Sequence, residues 1–458
     1  FPAGWKRNIR GDLLGGLLAA IVTMPLSVGF GILAFAPLSE AHATTGILAG
    51  LYGAIFTGLV TIACGANTVA IYAPRSLVAF MVGSVALHSI AESNAALLHA
   101  DPWFAVCALL LTMSFAGLVQ LAFGWAGFGA LMKFIPSPVM AGFQNAAALL
   151  ILYSQLHVLL GLPKRLAPLE LMSGLSQMRP LNLAVGVATA FCIWHGARLA
   201  RKVPPALTGL FAGTLLYYAL EALGLGSQLG PVIGETRVAL PDGTYLAQIM
   251  RFAAQPGFAE LLLSLAAAGF SVAVVSSLDV LICARILEGN THQRTDGNRE
   301  LRRIGTANLI TPLLGGLAGA ISLSSSAAGY RGGARTSLFA LVHSLVIVVA
   351  VVLLPPLLGR LPMVVIGAML SVTALQLFDR WTLRLCAKVI QGEIRDWRRA
   401  ALDLTVILVV AIIAVVGDIV TAVLVGVGVA VGFFVFKMSR SVVRREYGGD
   451  AVHSRRTR

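Results

Sequence analysis

The chain has 458 residues, of which 57% are hydrophobic and only 12% are charged, and its mean hydropathy is +0.85. Soluble chains carry about 25% charged residues, so this composition excludes a soluble globular protein and predicts a polytopic membrane protein. The net charge is +14, but lysine and arginine concentrate in particular loops and at the C-terminus, as the positive-inside rule expects, so no nucleic-acid partner is predicted.

The apolar stretches leave room for about 12 to 14 helical spans of about 20 residues each. In the first half the predicted spans cover 13–33, 45–63, a half-helix after Pro74, 103–123, 136–160, 181–200 and 205–223. The longest polar connection, residues 225–258, marks the boundary between two halves. In the second half they cover 261–285, 304–317, a half-helix after a serine cluster, 338–358, 364–378, 402–416 and 419–436.

The N-terminal segment, residues 1–11, is basic and contains a tryptophan, which is typical of an interfacial anchor. Because the chain starts at Phe1 and shows no cleavable signal, we expect that its N-terminus has been trimmed. The first span contains Pro25, which can kink or break the helix together with the nearby glycines. Ser27 in this segment is a candidate substrate contact.

Residues 65–84 organise the first half. Arg75 is the one Lys, Arg, Asp or Glu between positions 40 and 92, and an arginine inside an apolar region costs about 2.5–3.5 kcal/mol on insertion scales. A short β-branched segment, 67–72, precedes Pro74, and proline is favoured in the first turn of a helix. We therefore predict a strand and then a helix that begins inside the membrane, where backbone N–H groups, the helix dipole and the guanidinium attract an anion. The candidate substrate-binding residues here are Ala73, Arg75 and Ser76.

Asp279 is a second isolated charge, the one acid between positions 260 and 285. Arg285 lies six residues further on, about 240° around a helix, so the two side chains do not share a face. The partner of Asp279 is therefore Arg75, a proton or a cation. We expect Asp279 and Ser322 to form the coupling site for Na⁺ or H⁺, with the alternative that Arg75 and Asp279 form a purely structural ion pair.

Residues 315–336 repeat the pattern of the first broken segment: paired glycines, a short segment at 320–323, and a serine cluster that can cap a helix. Interrupted segments at corresponding places in two halves indicate a transporter site at a repeat interface, although two loops with serine caps would also fit the pattern. The cluster adds Ser324, Ser325 and Ser326 to the candidate substrate-binding residues.

Several other residues are expected to be structural. Gln144 and Asn145 are more typical of contacts between helices than of ligand binding, and His343 of a helix contact than of a proton relay. The five cysteines, four of them in apolar runs, have no metal-ligand spacing and are expected to be small core residues. No metal other than Na⁺ and no further cofactor is predicted.

The basic loops, among them 289–303 and 331–335, fall on one side if the N-terminus is cytoplasmic, which places the C-terminus there too and the protein in the plasma (inner) membrane. Lys164 and Arg165 do not fit this scheme and are expected near the outer interface. Residues 379–400 are predicted to form an amphipathic helix on the membrane surface, and 439–458 a basic cytoplasmic tail.

With these motifs the chain resembles, over nearly its whole length, the sulfate permease (SulP) family of anion transporters and exchangers. The residues that carry the resemblance are Pro25, Ala73-Pro74-Arg75, Asn298-Arg299-Glu300-Leu301, Gly315-Gly316 and Gly333-Ala334-Arg335-Thr336. The chain departs from the family at Leu26, where a glutamine is common, and at Ser325, where many members have arginine. A STAS domain usually follows in the family, but only 22 residues follow Phe436, so we expect that it is missing or was removed.

The resemblance implies an all-α membrane protein with 14 transmembrane segments in a 7+7 inverted repeat, as in uracil permease, and two short strand–half-helix segments. A core subdomain at about 12–124 and 259–358 would move against a gate subdomain at about 125–224 and 359–438. The substrate would lie between the third and tenth segments, and the protein would be a homodimer.

The residues and the resemblance together predict a secondary transporter of small anions (bicarbonate, sulfate or a dicarboxylate) that works by alternating access and is coupled to Na⁺ or H⁺. An anion channel is the alternative outside this class. A nucleobase carrier on the same fold is the alternative within it, but it would favour paired glutamates in spans eight and ten, and the tenth has none. No HExxH or GxSxG motif is present, so an enzyme is not predicted.

Overall fold

A computed structural model of the chain describes residues 8–35, 38, 42–66, 69–83, 101–129, 137–162, 175–199, 203–234, 243–291, 294–353, 359–392, 404–405, 407–409 and 412. The described part is mostly helical, and the chain is a polytopic helical membrane protein. The predicted spans at 402–416 and 419–436 lie outside the described residues, apart from a few positions between 404 and 412. The basic tail and the connection with Lys164 and Arg165 also lie outside them.

The helices of the first half agree closely with the predicted spans. They are α1 Ile9–Phe35, α2 Ala43–Ala63, α3 Ser76–Met81, α4 Pro102–Trp125, α5 Ser137–Leu160, α6 Pro180–Leu199 and α7 Pro205–Leu220, with strand β1 Tyr72–Pro74 before α3. Those of the second half are α8 Thr244–Ala253, α9 Phe258–Thr291, α10 Gly297–Leu313, α11 Leu323–Arg331, α12 Leu338–Leu353, α13 Met363–Leu377 and α14 Arg380–Ile390, with strand β2 Gly319–Ile321 before α11.

Five helices in the described part of the chain are long and apolar enough to cross a membrane: α1, α2, α4, α7 with its continuation to Gln228, and α9. Shorter apolar helices occur in α5, α6 and α12. The integral membrane class is therefore supported directly by helix length and composition. The number of 14 spans stays a prediction.

Three predictions are wrong in detail. The connection 225–258 contains the helix α8, and much of the predicted loop 289–303 is helical. There α10 begins at Gly297 because Asp296 caps it, its carboxylate accepting a hydrogen bond from the Asn298 amide at 3.0 Å. Pro74 ends β1 instead of beginning α3, since its fixed φ suits an extended residue as well as a first helical turn.

By its contacts the chain divides into two units, Phe1–Gly129 with Leu149–Gln376, and Ala130–Ala148 with Leu377–Arg458. In the second unit the Asn145 side-chain oxygen accepts a hydrogen bond from the Asp379 amide at 2.9 Å, a contact between segments like the one expected of this residue. The core and gate subdomains concern relative motion, which one conformation does not test, and they stay a prediction.

In the first unit both short strands follow helices that end in the same way. After α2 and after α10, the three amides that follow the helix donate hydrogen bonds back to carbonyls of its last turn. Gly65 and Gly315 at these turns have φ of 77° and 80°, a conformation that glycine adopts without strain. The sequence pattern shared by the two halves therefore corresponds to a shared local structure of helix, left-handed glycine, strand and helix.

The two strands pair with each other in the interior of this unit. Tyr72 lies opposite Ile321, Ala73 opposite Ala320, and Pro74 opposite Gly319 in an antiparallel ladder, and all six residues are buried. Because the ladder is antiparallel, α3 and α11 leave it in opposite directions. Extended backbone can exist at membrane depth only where protein or a wet cavity surrounds it, and this buried ladder meets that condition.

Candidate functional site

The side chain of Arg75, at the N-cap position of α3, turns toward α9. Its Nε lies 3.0 Å from Asp279 Oδ2, and its Nη1 donates hydrogen bonds to the Ile321 carbonyl at 2.9 Å and to Cys283 Sγ at 3.0 Å. Asp279 and Cys283 are four residues apart and share one face of α9. The two isolated charges of the sequence are thus neighbours in space, beside the point where the two strands pair.

This ion pair is largely buried, and one of the two Asp279 carboxylate oxygens lacks a hydrogen bond within the described part of the chain. The Arg75 side chain is 16% exposed and that of Asp279 is 2% exposed. Although Arg75 Nε is close, Asp279 Oδ2 accepts no hydrogen bond of good geometry from any described residue. The contact therefore relies on charge rather than on an aligned N–H, and this oxygen keeps a lone pair that a proton or a cation can use.

The serines around the start of α11 mainly hold the strand crossing together. Ser326 Oγ accepts a hydrogen bond from the Ile71 amide at 2.9 Å and donates to the Ser322 carbonyl at 2.6 Å. The Ser322 amide in turn donates to the Ile71 carbonyl at 2.8 Å. The prediction that the cluster caps the helix is wrong, because Ser322 occupies the N-cap position without a side-chain cap and Ser324 to Ser326 lie in the first turn.

A buried chain of hydroxyls joins α11 to α1 and α12. Ser325 Oγ accepts from Thr23 Oγ1 at 2.7 Å and from Ser322 Oγ at 3.0 Å. Thr23 Oγ1 also lies 2.9 Å from Nε2 of His343, which is fully buried. His343 is thus the helix contact that was expected, but its Nδ1 has no hydrogen-bond partner among the described residues. Thr23 was not singled out in the sequence, although it lies one helical turn before Ser27.

The remaining candidate residues are spread around this centre. Ala73 and Ser76 are buried in β1 and at the start of α3, and Ser27 is buried in α1 with no hydrogen-bond partner for its hydroxyl among the described residues. Ser324 is exposed and lines a cavity of about 670 Å³ that Arg75 and Ser76 do not line. The candidates therefore surround the strand crossing on several sides rather than line one common pocket.

A buried charged cluster that was not predicted from the sequence lies between β1 and α10. Glu300 accepts hydrogen bonds from Tyr72 Oη at 2.7 Å and from Arg303 Nη1 at 2.6 Å. Arg303 Nη2 also donates to the Gly65 carbonyl. The prediction that Arg303 lies in a basic loop is wrong, because it lies in α10 and its side chain is only 7% exposed. The three-residue spacing of Glu300 and Arg303 was the available signal, since such a pair shares one helix face.

A second missed residue is Asp12 in the first turn of α1, which is fully buried. Its carboxylate accepts hydrogen bonds from the Arg335 amide at 2.8 Å and from the Thr336 amide and hydroxyl at 3.1 and 2.7 Å. Asp12 thus fastens the start of α1 to the loop after α11, which is the segment that carried part of the family resemblance.

Reactive and metal-binding groups are sparse in the described residues. Within that set no group of three or more His, Cys, Asp or Glu side chains could hold a metal ion. Of the five cysteines, Cys107 and Cys283 are buried and Cys64 is exposed. The expectation of core cysteines is therefore only partly correct, and Cys283 has a polar contact with Arg75.

The comparison with known proteins is consistent with this architecture. The family model described as sulfate permease family matches residues 9–397. The bicarbonate transporter BicA of Picosynechococcus sp. is 26% identical over 440 residues, which are 94% of this chain and 71% of the relative. The putative sulfate transporter YbaR of Bacillus subtilis is 26% identical over 443 residues, 95% of this chain and 79% of the relative.

Two solved structures share the fold. The transmembrane domain of a cyanobacterial bicarbonate transporter BicA has a TM-score of 0.67 at 24% identity and covers 90% of this chain and 98% of that domain. The murine Solute Carrier 26 family member A9 anion transporter in the inward-facing state has a TM-score of 0.73 at 20% identity and covers 94% of this chain and 69% of that one.

Proposed function

Because the chain belongs to the sulfate permease family, we propose that it is a secondary active transporter of bicarbonate, sulfate or a dicarboxylate that works by alternating access. Relatives that match 94% and 95% of this chain are named as bicarbonate and putative sulfate transporters, which supports anion transport rather than an enzymatic activity. We also propose that it acts as a homodimer in the plasma (inner) membrane with both termini in the cytoplasm.

The observation that carries this proposal is the contact between Arg75 and Asp279 beside the strand crossing. Charges inside a membrane protein are expensive, and they commonly mark ion or substrate pathways. A broken segment in each half supplies unpaired backbone N–H groups at the same place, and such groups favour an anion. The chain thus has one of its buried ion pairs where a transporter of this architecture would bind its substrate.

The geometry suggests how an anion and a cation would bind together. An anion that binds between the starts of α3 and α11 competes with Asp279 for the Arg75 guanidinium. A buried carboxylate that loses its cationic partner becomes strongly unfavourable, by about 3–5 kcal/mol. Asp279 then takes up H⁺ or Na⁺, for which Oδ2 already has an unused lone pair. We assign Ser322 to the same coupling site as a further oxygen ligand.

We assign two roles to the serines, and their hydrogen bonds support the assignment. Ser326 donates its proton to the Ser322 carbonyl, so we assign it to positioning the two strands. Ser325 Oγ lies 2.7 Å from Thr23 Oγ1 and 3.0 Å from Ser322 Oγ, and we assign it, with exposed Ser324, to contact with a substrate oxygen. Ser27, Ala73 and Ser76 complete the proposed substrate shell, with Ala73 contributing only backbone and space.

The test is uptake of radiolabelled sulfate and bicarbonate into proteoliposomes by the wild type, Arg75→Ala, Asp279→Asn and the double variant Arg75→Gln/Asp279→Asn. Arg75→Ala is expected to lose uptake, and the reduced uptake that remains in Asp279→Asn is expected to depend on neither Na⁺ nor pH. A purely structural ion pair predicts instead that the double variant, in which no buried charge is left unpaired, regains wild-type uptake.

The matched control is the exposed ion pair of Arg251 with Asp101, in which the arginine side chain is 60% exposed. Arg251→Gln is expected to transport like the wild type, because exposed ion pairs contribute about 0–1 kcal/mol. Wild-type protein that moves anions only down their gradient and without saturation would be a channel. Wild-type protein that moves no member of an anion panel would refute the proposed function itself.

A further inference from the structure

The cavity of about 670 Å³ in the first unit contains a cation that the proposed substrate site does not use. Its walls come from α1, α6, α11, α13 and the start of α7 with the two residues before it, and they are mainly apolar. The polar residues among those that line it are Ser324, Arg331, Thr373 and Gln376. No aspartate or glutamate is among the described lining residues, so the one formal charge on these walls is positive.

No structural role is evident for the Arg331 side chain. This side chain is exposed and makes no ion pair or hydrogen bond with any described residue. A cation at a helix C-terminus can serve the last carbonyls, but here that role is taken by Arg335, which donates to the Tyr330 and Ala334 carbonyls at 3.0 and 2.6 Å. The amides of residues 332–334 close the same turn.

The spacing along α11 connects this cation to the proposed substrate site. Ser324 and Arg331 are seven residues apart, which places them on the same helix face about 10.5 Å apart. Between them the small side chains of Ala327 and Ala328 line the cavity, so the face is unobstructed. A guanidinium at one end and a hydroxyl beside the strand crossing at the other form a track for a small negatively charged solute.

On the basis of the proposed function, we propose that Arg331 is an anion-capture site at the end of this cavity beside the predicted cytoplasmic loop. It binds bicarbonate, sulfate or a carboxylate weakly and delivers it along α11 toward Ser324. A single cation in a cavity with apolar walls raises the local anion concentration, and its effect decreases as salt screens it. Its place beside the predicted cytoplasmic loop makes it the capture site for anions that arrive from the cytoplasm.

The test measures the concentration dependence of sulfate and bicarbonate uptake into inside-out and right-side-out membrane vesicles. For Arg331→Gln we expect KM to rise about threefold to tenfold in inside-out vesicles, with kcat within about twofold of the wild type and less dependence on ionic strength. KM in right-side-out vesicles is expected to stay unchanged. Arg331→Lys, which keeps the charge, is expected to behave like the wild type.

The matched control is Arg302→Gln on α10, because Arg302 is also an exposed arginine in the predicted cytoplasmic region but does not line the cavity. An equal rise of KM in that variant would reduce the effect to general surface charge and overturn the proposal. So would an unchanged KM in Arg331→Gln, or the same rise from both sides. These outcomes require a transporting wild type, so they are distinct from failure of the proposed function.

A chemical rescue covers the case in which Arg331→Gln folds poorly. In an Arg331→Cys variant that also carries Cys64→Ala, a thiol reagent that adds an ammonium group is expected to restore the wild-type KM. A neutral reagent of similar size is expected to leave KM raised. Equal results with the two reagents would show that size, not charge, matters at this position and would contradict the capture role.

Discussion

The buried cluster of Tyr72, Glu300 and Arg303 permits a quantitative prediction of stability. Glu300 is 1% exposed and Arg303 is 7% exposed, and their nearest oxygen and nitrogen are 2.6 Å apart. Glu300→Gln leaves a guanidinium buried without a charged partner, which costs about 3–5 kcal/mol. Native proteins are stable by only about 5–15 kcal/mol, so this variant is expected to lose a large part of its stability.

The magnitude also follows from what the cluster holds together. Tyr72 donates to Glu300 at 2.7 Å, which ties β1 to α10, and Arg303 donates to the Gly65 carbonyl, which ties α10 to the turn after α2. Tyr72→Phe removes one hydrogen bond to a charged group and should cost less, about 1.5–3 kcal/mol. The order of destabilisation is therefore Glu300→Gln above Tyr72→Phe.

The assay is thermal unfolding of purified protein in detergent, with parallel measurement of monodispersity. Arg302→Gln is a matched control, because Arg302 is the exposed neighbour of buried Arg303 and its substitution should change stability by no more than about 0.5 kcal/mol. The double variant Glu300→Gln/Arg303→Gln should be less destabilised than the sum of the single variants. Equal melting temperatures for Glu300→Gln and Arg302→Gln would refute the reasoning.

Three further predictions test other parts of the first unit. Asp12→Ala leaves the amides and the hydroxyl that it binds without an acceptor and should cost about 3 kcal/mol in the same melting assay, whereas an unchanged melting temperature would remove its fastening role. Gly50→Ala should prevent stable folding, because its added methyl would lie 1.9 Å from a backbone oxygen of α1, whereas Gly289→Ala in α9 meets nothing within 4 Å and should stabilise the helix by up to about 1 kcal/mol. A maleimide applied to folded protein should label exposed Cys64 quickly and buried Cys283 only after unfolding, and rapid labelling of both would contradict the described packing.

The sequence alone was sufficient for the membrane class, for most helix bounds and for the choice of Arg75 and Asp279 as unusual residues. These features depend on local physics, since an apolar run of about 20 residues spans a bilayer and an isolated charge inside one requires a partner. The role of the glycines before each strand could be predicted for the same reason, because a left-handed backbone conformation is a local requirement. Gly65 and Gly315 both occupy such turns.

The tertiary structure decided which groups meet. Helical periodicity showed that Asp279 could not pair with Arg285, but only the packing of α9 against the strand crossing brought Arg75 to it at 3.0 Å. The same packing placed Arg303 in the interior and left Arg331 facing a cavity, although both looked like basic loop residues. Spacing along a chain determines which residues share a face of a helix. The residues that this face contacts depend on the helices that pack against it, and a local sequence pattern does not determine that packing.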